Sequence, residues 1–187
     1  MSLRSSATHW GLASRLVHWV TLLLLTVTVP LGAFMGDLPK GAAKLRLFAL
    51  HKSIGITLLA LVVLRLAWRL IDRRPLAAPM PAWQARVAAG LYALLYALLF
   101  GVPLAGWAMN SAAGFPLQWF GLVNLPALMK ADKGLHELFE DLHGWAAWTL
   151  VVLVAGHAAM AFKHHFIDHD HTLQSMLPPR RGAPGER

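Results

Sequence analysis

Apolar positions along the chain gather into four long runs, separated by shorter polar or charged stretches. The first, Leu16–Gly36, is 21 residues long and carries no formal charge. The second covers roughly 47–70, with Lys52, Arg65 and Arg69 toward its ends, where long side chains can reach the headgroups. The third runs from about 87 to 109, and no charged residue appears after it until Lys130. The fourth, 142–162, reads LHGWAAWTLVVLVAGHAAMAF. Each run supplies the roughly 20 residues that a helix rising ~1.5 Å per residue needs to cross a hydrocarbon core. The pattern predicts an all-α chain, an integral membrane four-helix bundle forming one domain over 1–187. Pro30 and Pro103 are expected to bend or end their helices.

Composition agrees with a lipid-bilayer environment. Hydrophobic residues make up 57% of the chain and charged ones 14%, with a mean hydropathy of +0.51, whereas soluble domains carry about 25% charged residues. Cysteine is absent, which excludes disulfides, cysteine-held iron–sulfur clusters and a c-type haem with its C-x-x-C-H attachment. A net charge of +8 raises the question of nucleic acid, but in so apolar a chain it reads as a topology signal, and no nucleic-acid partner is expected. Arg4 and Arg15 before the first run raise a second question, that of a secretory signal. The run exceeds the usual ~7–15-residue core of such a signal and lacks a small-x-small cleavage site, so it reads as a helix.

Charge then sets orientation. The connection between the second and third runs carries Arg69, Arg73, Arg74 and Arg86, the N-terminus Arg4 and Arg15, and the tail Lys163, Arg180 and Arg181. The stretch before the fourth run offsets Lys130 and Lys133 with Asp132, Glu137, Glu140 and Asp141. The first loop is mildly basic, with Lys40, Lys44 and Arg46, and weakens the contrast. The bias predicts both termini and the middle loop in the cytoplasm.

Ten histidines are many for 187 residues. His164, His165, His169 and His171, with Asp168 and Asp170, form a cluster past the fourth run that reads either as a transition-metal site or as a solvated membrane-edge segment. His9 reads as interfacial. His18, His51, His143 and His157 lie within or at the ends of the helices, where an ionisable group is costly and needs a partner or a task. Their depths match in pairs: His18 with His157 on the inner side, His51 with His143 on the outer side. Fourteen residues separate His143 from His157, which is nearly four turns and ~21 Å along the axis. That leaves room for two flat cofactors, each gripped between the fourth helix and a neighbour. Neutral imidazole suits iron and is the usual axial ligand of haem, so the pattern predicts two haems with both axial positions filled. His136 is the rival to His143. It would stretch the separation to ~31 Å, about the whole hydrocarbon thickness, and its neighbours Lys133, Glu137 and Glu140 mark an interfacial site, so His143 is favoured. Gly55, Gly144 and Gly156 read either as room for a large ring or as ordinary helix packing. Trp10, Trp19, Trp68, Trp107, Trp119 and Trp145 read first as an interfacial belt. Arg15, Arg65 and Arg69 read as inner-side topology charges that are also placed to neutralise haem carboxylates.

Over nearly its whole length the chain resembles the bacterial cytochrome b561 family. The resembling pieces are RLVHW in the first helix, LHKSIGI at the start of the second, the histidine pair of the fourth, and KHHFIDHDHTLQSML after it. The resemblance implies a four-helix inner-membrane protein with two non-covalent b haems on His18, His51, His143 and His157, and electron exchange with the quinone pool, ubiquinone being the expected substrate. One branch of the family oxidises periplasmic superoxide and reduces ubiquinone. The HKSIGI and HHFID wording is closer to a branch associated with a periplasmic isoprenoid-binding protein, and related cytochromes serve hydrogenases and formate dehydrogenases as membrane subunits. The functional expectation is therefore either a superoxide:quinone oxidoreductase or an electron relay for a protein partner, with a histidine-lined metal transporter as the non-redox alternative. Lys40, Lys44, Arg46, Lys130 and Lys133 read as steering charges for an anion or as solvated loop charge.

Overall fold

The computed structural model describes residues 2–73, 75–76 and 80–178. Helix α1 spans Leu12–Phe34 and runs into a single 3-10 turn, Met35–Asp37; α2 spans Ala42–Ile71, α3 Ala82–Ala112 and α4 Lys133–Phe166. All four are long and apolar enough to cross a membrane. Helices α2, α3 and α4 outrun at both ends the apolar runs that announced them, because polar end turns continue the helix, while α1 starts four residues early and gives way to the 3-10 turn at Met35. The Asp132 carboxylate shows how α4 starts early, accepting the Leu135 N–H at 2.9 Å as an N-cap. Pro30 and Pro103 lie inside α1 and α3 and end neither helix. Among the expected cytoplasmic charges, Arg74, Arg180 and Arg181 lie outside the described residues.

The expected all-helical chain gains a small hairpin. Strands β1 (Leu117–Trp119) and β2 (Val123–Leu125) pair antiparallel between α3 and α4. Two hydroxyls of α2 hold it down. Ser53 Oγ accepts the Phe120 N–H at 2.9 Å, and Thr57 Oγ1 accepts the Trp119 indole N–H at 3.0 Å. Phe120 adopts a left-handed φ of 48°, unusual for a bulky residue, and the Ser53 bond fixes that residue.

Helix α1 buries its polar face and turns its apolar one outward. On α1 the buried positions include Ser14, Thr21 and Thr28, spaced by seven, while Leu16, Leu23 and Val27 are exposed. Lipid is as apolar as leucine, so association falls to close packing and hydrogen bonds between helices. The core is a stripe of Ile54, Leu58 and Val62 on α2 against Leu95, Ala105 and Ala108 on α3, with Leu150 from α4. Close packing joins α1 to α2, α2 to α3 and, most extensively, α3 to α4; α4 is not drawn up against α1 or α2 in this way.

One end of the bundle gathers both terminal segments. Short helix α5, Thr172–Ser175, follows α4. The segment around it meets α1 through Arg15 Nη1, which donates to the Leu177 carbonyl at 2.8 Å, and the Trp19 indole, which donates to Met176 at 3.0 Å. The Leu76 N–H donates to the Ala7 carbonyl, tying the α2–α3 connection to the same end. Within the histidine-rich segment, His164 Nδ1 lies 2.8 Å from Asp170 and 3.1 Å from Asp168. Burial works to raise the Asp170 carboxyl, and the Thr172 N–H with His164 outweighs it, holding that carboxyl below its ordinary range. Among the described residues no group of three or more acidic or histidine side chains converges as a metal site.

Asp72, just past α2, fastens the N-terminal segment. Its carboxylate accepts from Ser5 N at 2.9 Å, Ser5 Oγ at 2.7 Å, Ser14 Oγ at 3.0 Å and the Trp68 indole at 3.1 Å. Burial acts to raise its pKa, and these donors overcome that and hold it below the usual carboxylate value. A depressed folded-state pKa contributes stability that is complete above the ordinary value near ~4 and is lost as pH falls through the folded value. Asp72→Ala is therefore expected to release residues 2–11 to limited proteolysis at neutral pH, while the parent protein releases them only in acid. Equal protection of both proteins at neutral pH would remove Asp72 from this role.

Candidate functional site

The four helical histidines meet across the slot that separates α4 from α1 and α2. His18 of α1 faces His157 of α4, with ring centroids 6.3 Å apart and planes at 73°. His51 of α2 faces His143 of α4 at 6.1 Å and 84°. Metal–imidazole bonds are about 2 Å long, and the ring centre lies ~1 Å beyond the nitrogen, so two imidazoles on opposite sides of one metal have centroids roughly 6 Å apart. Both pairs have that spacing. His136, the rival, is not opposite His51: its Nδ1 donates to the Met109 carbonyl of α3 at 3.2 Å, and its Nε2 lies 3.7 Å from Glu140.

At the His51/His143 level the ring tautomers are set by backbone. A carbonyl only accepts, so His51 Nδ1–H donates to Thr28 O at 3.0 Å, with the Thr28 hydroxyl also 3.0 Å away, and His143 Nδ1–H donates to Val102 O at 2.9 Å. Each ring thereby keeps an Nε2 lone pair for a metal, the usual outer support of a ligating histidine. Both rings come this close because of glycines on the neighbouring helices. A Cβ built on Gly32 would stand 2.9 Å from His51 Cε1, and one on Gly106 3.0 Å from His143 Cε1. These two glycines were not singled out from sequence. Pro30 and Pro103 beside them were the available signal, since TVPLG in α1 and VPLAG in α3 each end on the glycine one turn past the accepting carbonyl.

A cavity opens between the two rings, lined by His51, Gly55, Leu58, His143, Gly144 and Leu150 among others. A Cβ on Gly55 or Gly144 would meet nothing within 4 Å, so these glycines border open space. Gly156 is open likewise. An apolar slot with an imidazole from each side and glycine on its walls fits a flat iron porphyrin.

The His18/His157 level is built differently. Arg65 and Arg69 of α2 do not snorkel outward; both guanidiniums lie over the Tyr96 ring, 5.6 and 5.3 Å from its centroid. Arg65 Nη1 is 3.3 Å from His18 Nδ1. Tyr92 of α3 sits edge-on to His157 with centroids 6.0 Å apart, and Trp19 sits edge-on to His18 at 5.2 Å. Lys52 also turns inward, donating to Asn110 Oδ1 at 3.0 Å. Four of the tryptophans have specific indole partners, Trp107 donating to the Pro126 carbonyl in addition to Trp19, Trp68 and Trp119, while Trp145 is exposed.

Comparison with known proteins matches residues 9–179 to the family described as prokaryotic cytochrome b561. The chain is 37% identical over 182 residues to cytochrome b561 homolog 2 of Escherichia coli strain K12, covering 95% of each chain. It is 30% identical over 167 residues to cytochrome b561 homolog 1 of the same organism, covering 88% of this chain and 94% of the relative. A probable superoxide oxidase CybB of Yersinia pestis is 27% identical over 170 residues, covering 89% and 94%.

Proposed function

The chain belongs to the prokaryotic cytochrome b561 family of haem-binding, electron-transferring membrane proteins, and from that premise we propose that it carries electrons from a periplasmic donor to membrane quinone through two b haems. The observation that carries this reading is that α4 faces two different helices with two imidazole pairs, at 6.3 and 6.1 Å. In this reading His18 and His157 hold the inner haem, and His51 and His143 the outer one. Haem iron supplies one-electron chemistry when bound. The protein's own part would be to offer one imidazole from each side of each haem, to fix the outer imidazoles through Thr28 and Val102, and to exclude water with apolar walls.

Superoxide is the donor we propose first, because a relative is named a probable superoxide oxidase. Two superoxide anions each lose one electron and become dioxygen, and ubiquinone takes both electrons with two protons to become ubiquinol. Mixing purified oxidised protein with superoxide in a stopped-flow instrument should reduce haem rapidly, and added ubiquinone should reoxidise it. Quinone exchange without reaction with superoxide would instead make the chain a relay for a periplasmic protein such as an isoprenoid-binding partner.

Orientation follows the arginines of the α2–α3 connection. A periplasm-active reporter fused after residue 74 should be silent, and one fused near Asp132 active. The opposite pattern would exchange the inner and outer labels.

A further inference from the structure

The connection from α3 to α4 folds back along the bundle before α4 begins. From residue 87 to residue 129 the chain carries no charged side chain, so the hairpin continues the apolar character of α3. Its hydrogen bonds set its depth. The Phe120 N–H meets Ser53 Oγ at 2.9 Å, and the Trp119 indole reaches Thr57 Oγ1 at 3.0 Å. Those hydroxyls lie two and six residues beyond His51 on α2, ~3 and ~9 Å further along its axis. The return path climbs along α3. The Trp107 indole donates to the Pro126 carbonyl, the Leu128 N–H to Ser111 Oγ, and the Asp132 N–H to the Ala112 carbonyl. Trp107 is five residues, ~7.5 Å, short of the end of α3. The hairpin therefore lies alongside the transmembrane helices, level with the His51/His143 pair.

Its surface is two-sided. Leu117 is buried against the bundle, whereas Phe115, Phe120, Leu122, Val123 and Leu128 are exposed, Leu122 by 77%. Gln118 and Asn124 pair across the strands and are exposed as well. Aromatic and aliphatic side chains with no charge among them suit lipid, and in water they would form a large apolar patch. Two exposed amides and the open edges of a two-stranded sheet, whose backbone groups need partners, exclude the centre of the hydrocarbon. The apolar run 47–70 of α2 rises ~36 Å against a ~30 Å core. Ser53, ~9 Å from the start of that run, falls at the depth of about 5–10 Å where amphipathic segments seat. We propose that the hairpin is a membrane-inserted wedge, seated between headgroups and acyl chains at the His51/His143 end of the bundle. Phe120, Leu122 and Val123 enter the acyl chains, and the Gln118/Asn124 pair meets the headgroups. The occupant of this face is phospholipid. The seat is the same whichever face is periplasmic and however many haems are bound.

Because the chain has no cysteine, an introduced thiol is its only one. Full-length protein carrying Leu122→Cys is placed in phospholipid nanodiscs, one chain per disc, which leaves both faces open to water. A charged, membrane-impermeant maleimide is the probe. Lys130→Cys, also exposed, is the aqueous reference, and Leu23→Cys, exposed on α1, is the lipid reference. Hydrocarbon disfavours both the charged reagent and the thiolate that attacks it, so Leu122→Cys should label at least about tenfold more slowly than Lys130→Cys. Leu23→Cys should be as slow, and dissolving the discs in SDS should bring all three to the same extent of labelling. Should Leu122→Cys fail to fold, Val123→Cys takes its place with the same expectation. Labelling of the hairpin thiol as fast as Lys130→Cys would put the hairpin in water and overturn the proposal, leaving its apolar side chains as a surface for a protein partner.

Discussion

Alanine at His18 or at His157 should cost the protein the same haem, and alanine at His51 or His143 the other. Each substitution opens one axial position and frees one face of one ring, while the second level, ~21 Å away along α4, keeps both its imidazoles. The facing centroids at 6.3 and 6.1 Å pair His18 with His157 and His51 with His143. The expected loss is about half of the b-type absorption, with one low-spin signal missing from the low-temperature EPR spectrum and the other unchanged. His136→Ala should leave both signals, since that ring is turned to Met109 and Glu140. A protein in which His18→Ala and His51→Ala abolish the same signal would contradict the pairing.

Alanine at Gly32 or Gly106 should empty the outer level without touching either ligand. The added methyl at Gly32 would lie 2.9 Å from His51 Cε1, and at Gly106 3.0 and 3.1 Å from Cε1 and Nδ1 of His143. The first distance is shorter than real Cβ contacts and the second is tighter than most, so each ring must shift, His51 more than His143, and the shift strains the hydrogen bond to Thr28 or Val102 that aims its Nε2. Loss of such outer support typically weakens metal binding about 10–100-fold. The helices themselves should not suffer, because alanine is the better helix former by ~1 kcal/mol. Gly101→Ala, in the same helix as Gly106 but with nothing within 4 Å of its Cβ, is the control expected to keep both haems. Full haem retention in Gly32→Ala and Gly106→Ala would show that the rings have more freedom than these distances allow.

Much of this architecture can be read from the chain because a bilayer permits few solutions. Four apolar runs of membrane length leave helices as the only option, and histidines at matched depths imply partners across a gap. The details that escaped are those decided by neighbours. Gly144 and Gly156 draw attention by adjoining histidines in sequence and Gly55 by lying one turn from His51, yet the glycines that touch a ring, Gly32 and Gly106, sit on other helices. Arg65 and Arg69 look like headgroup charges by position along α2, but Tyr96, on α3, gives their guanidiniums an inward surface to cover. Strands β1 and β2 have three residues each, too few for alternation to register, and they form because Ser53 and Thr57 offer hydroxyls at the right height. Asp132 and the polar first turns of α4 lengthen that helix beyond its apolar stretch, since capping, unlike membrane crossing, needs no hydrophobicity.

The most direct measurement is the haem content of the purified, fully loaded chain. Acid acetone should extract all of it, because without cysteine no thioether can form, and quantification against protein should give about two b haems per chain, one for each imidazole pair. One haem per chain would contradict the two-level site.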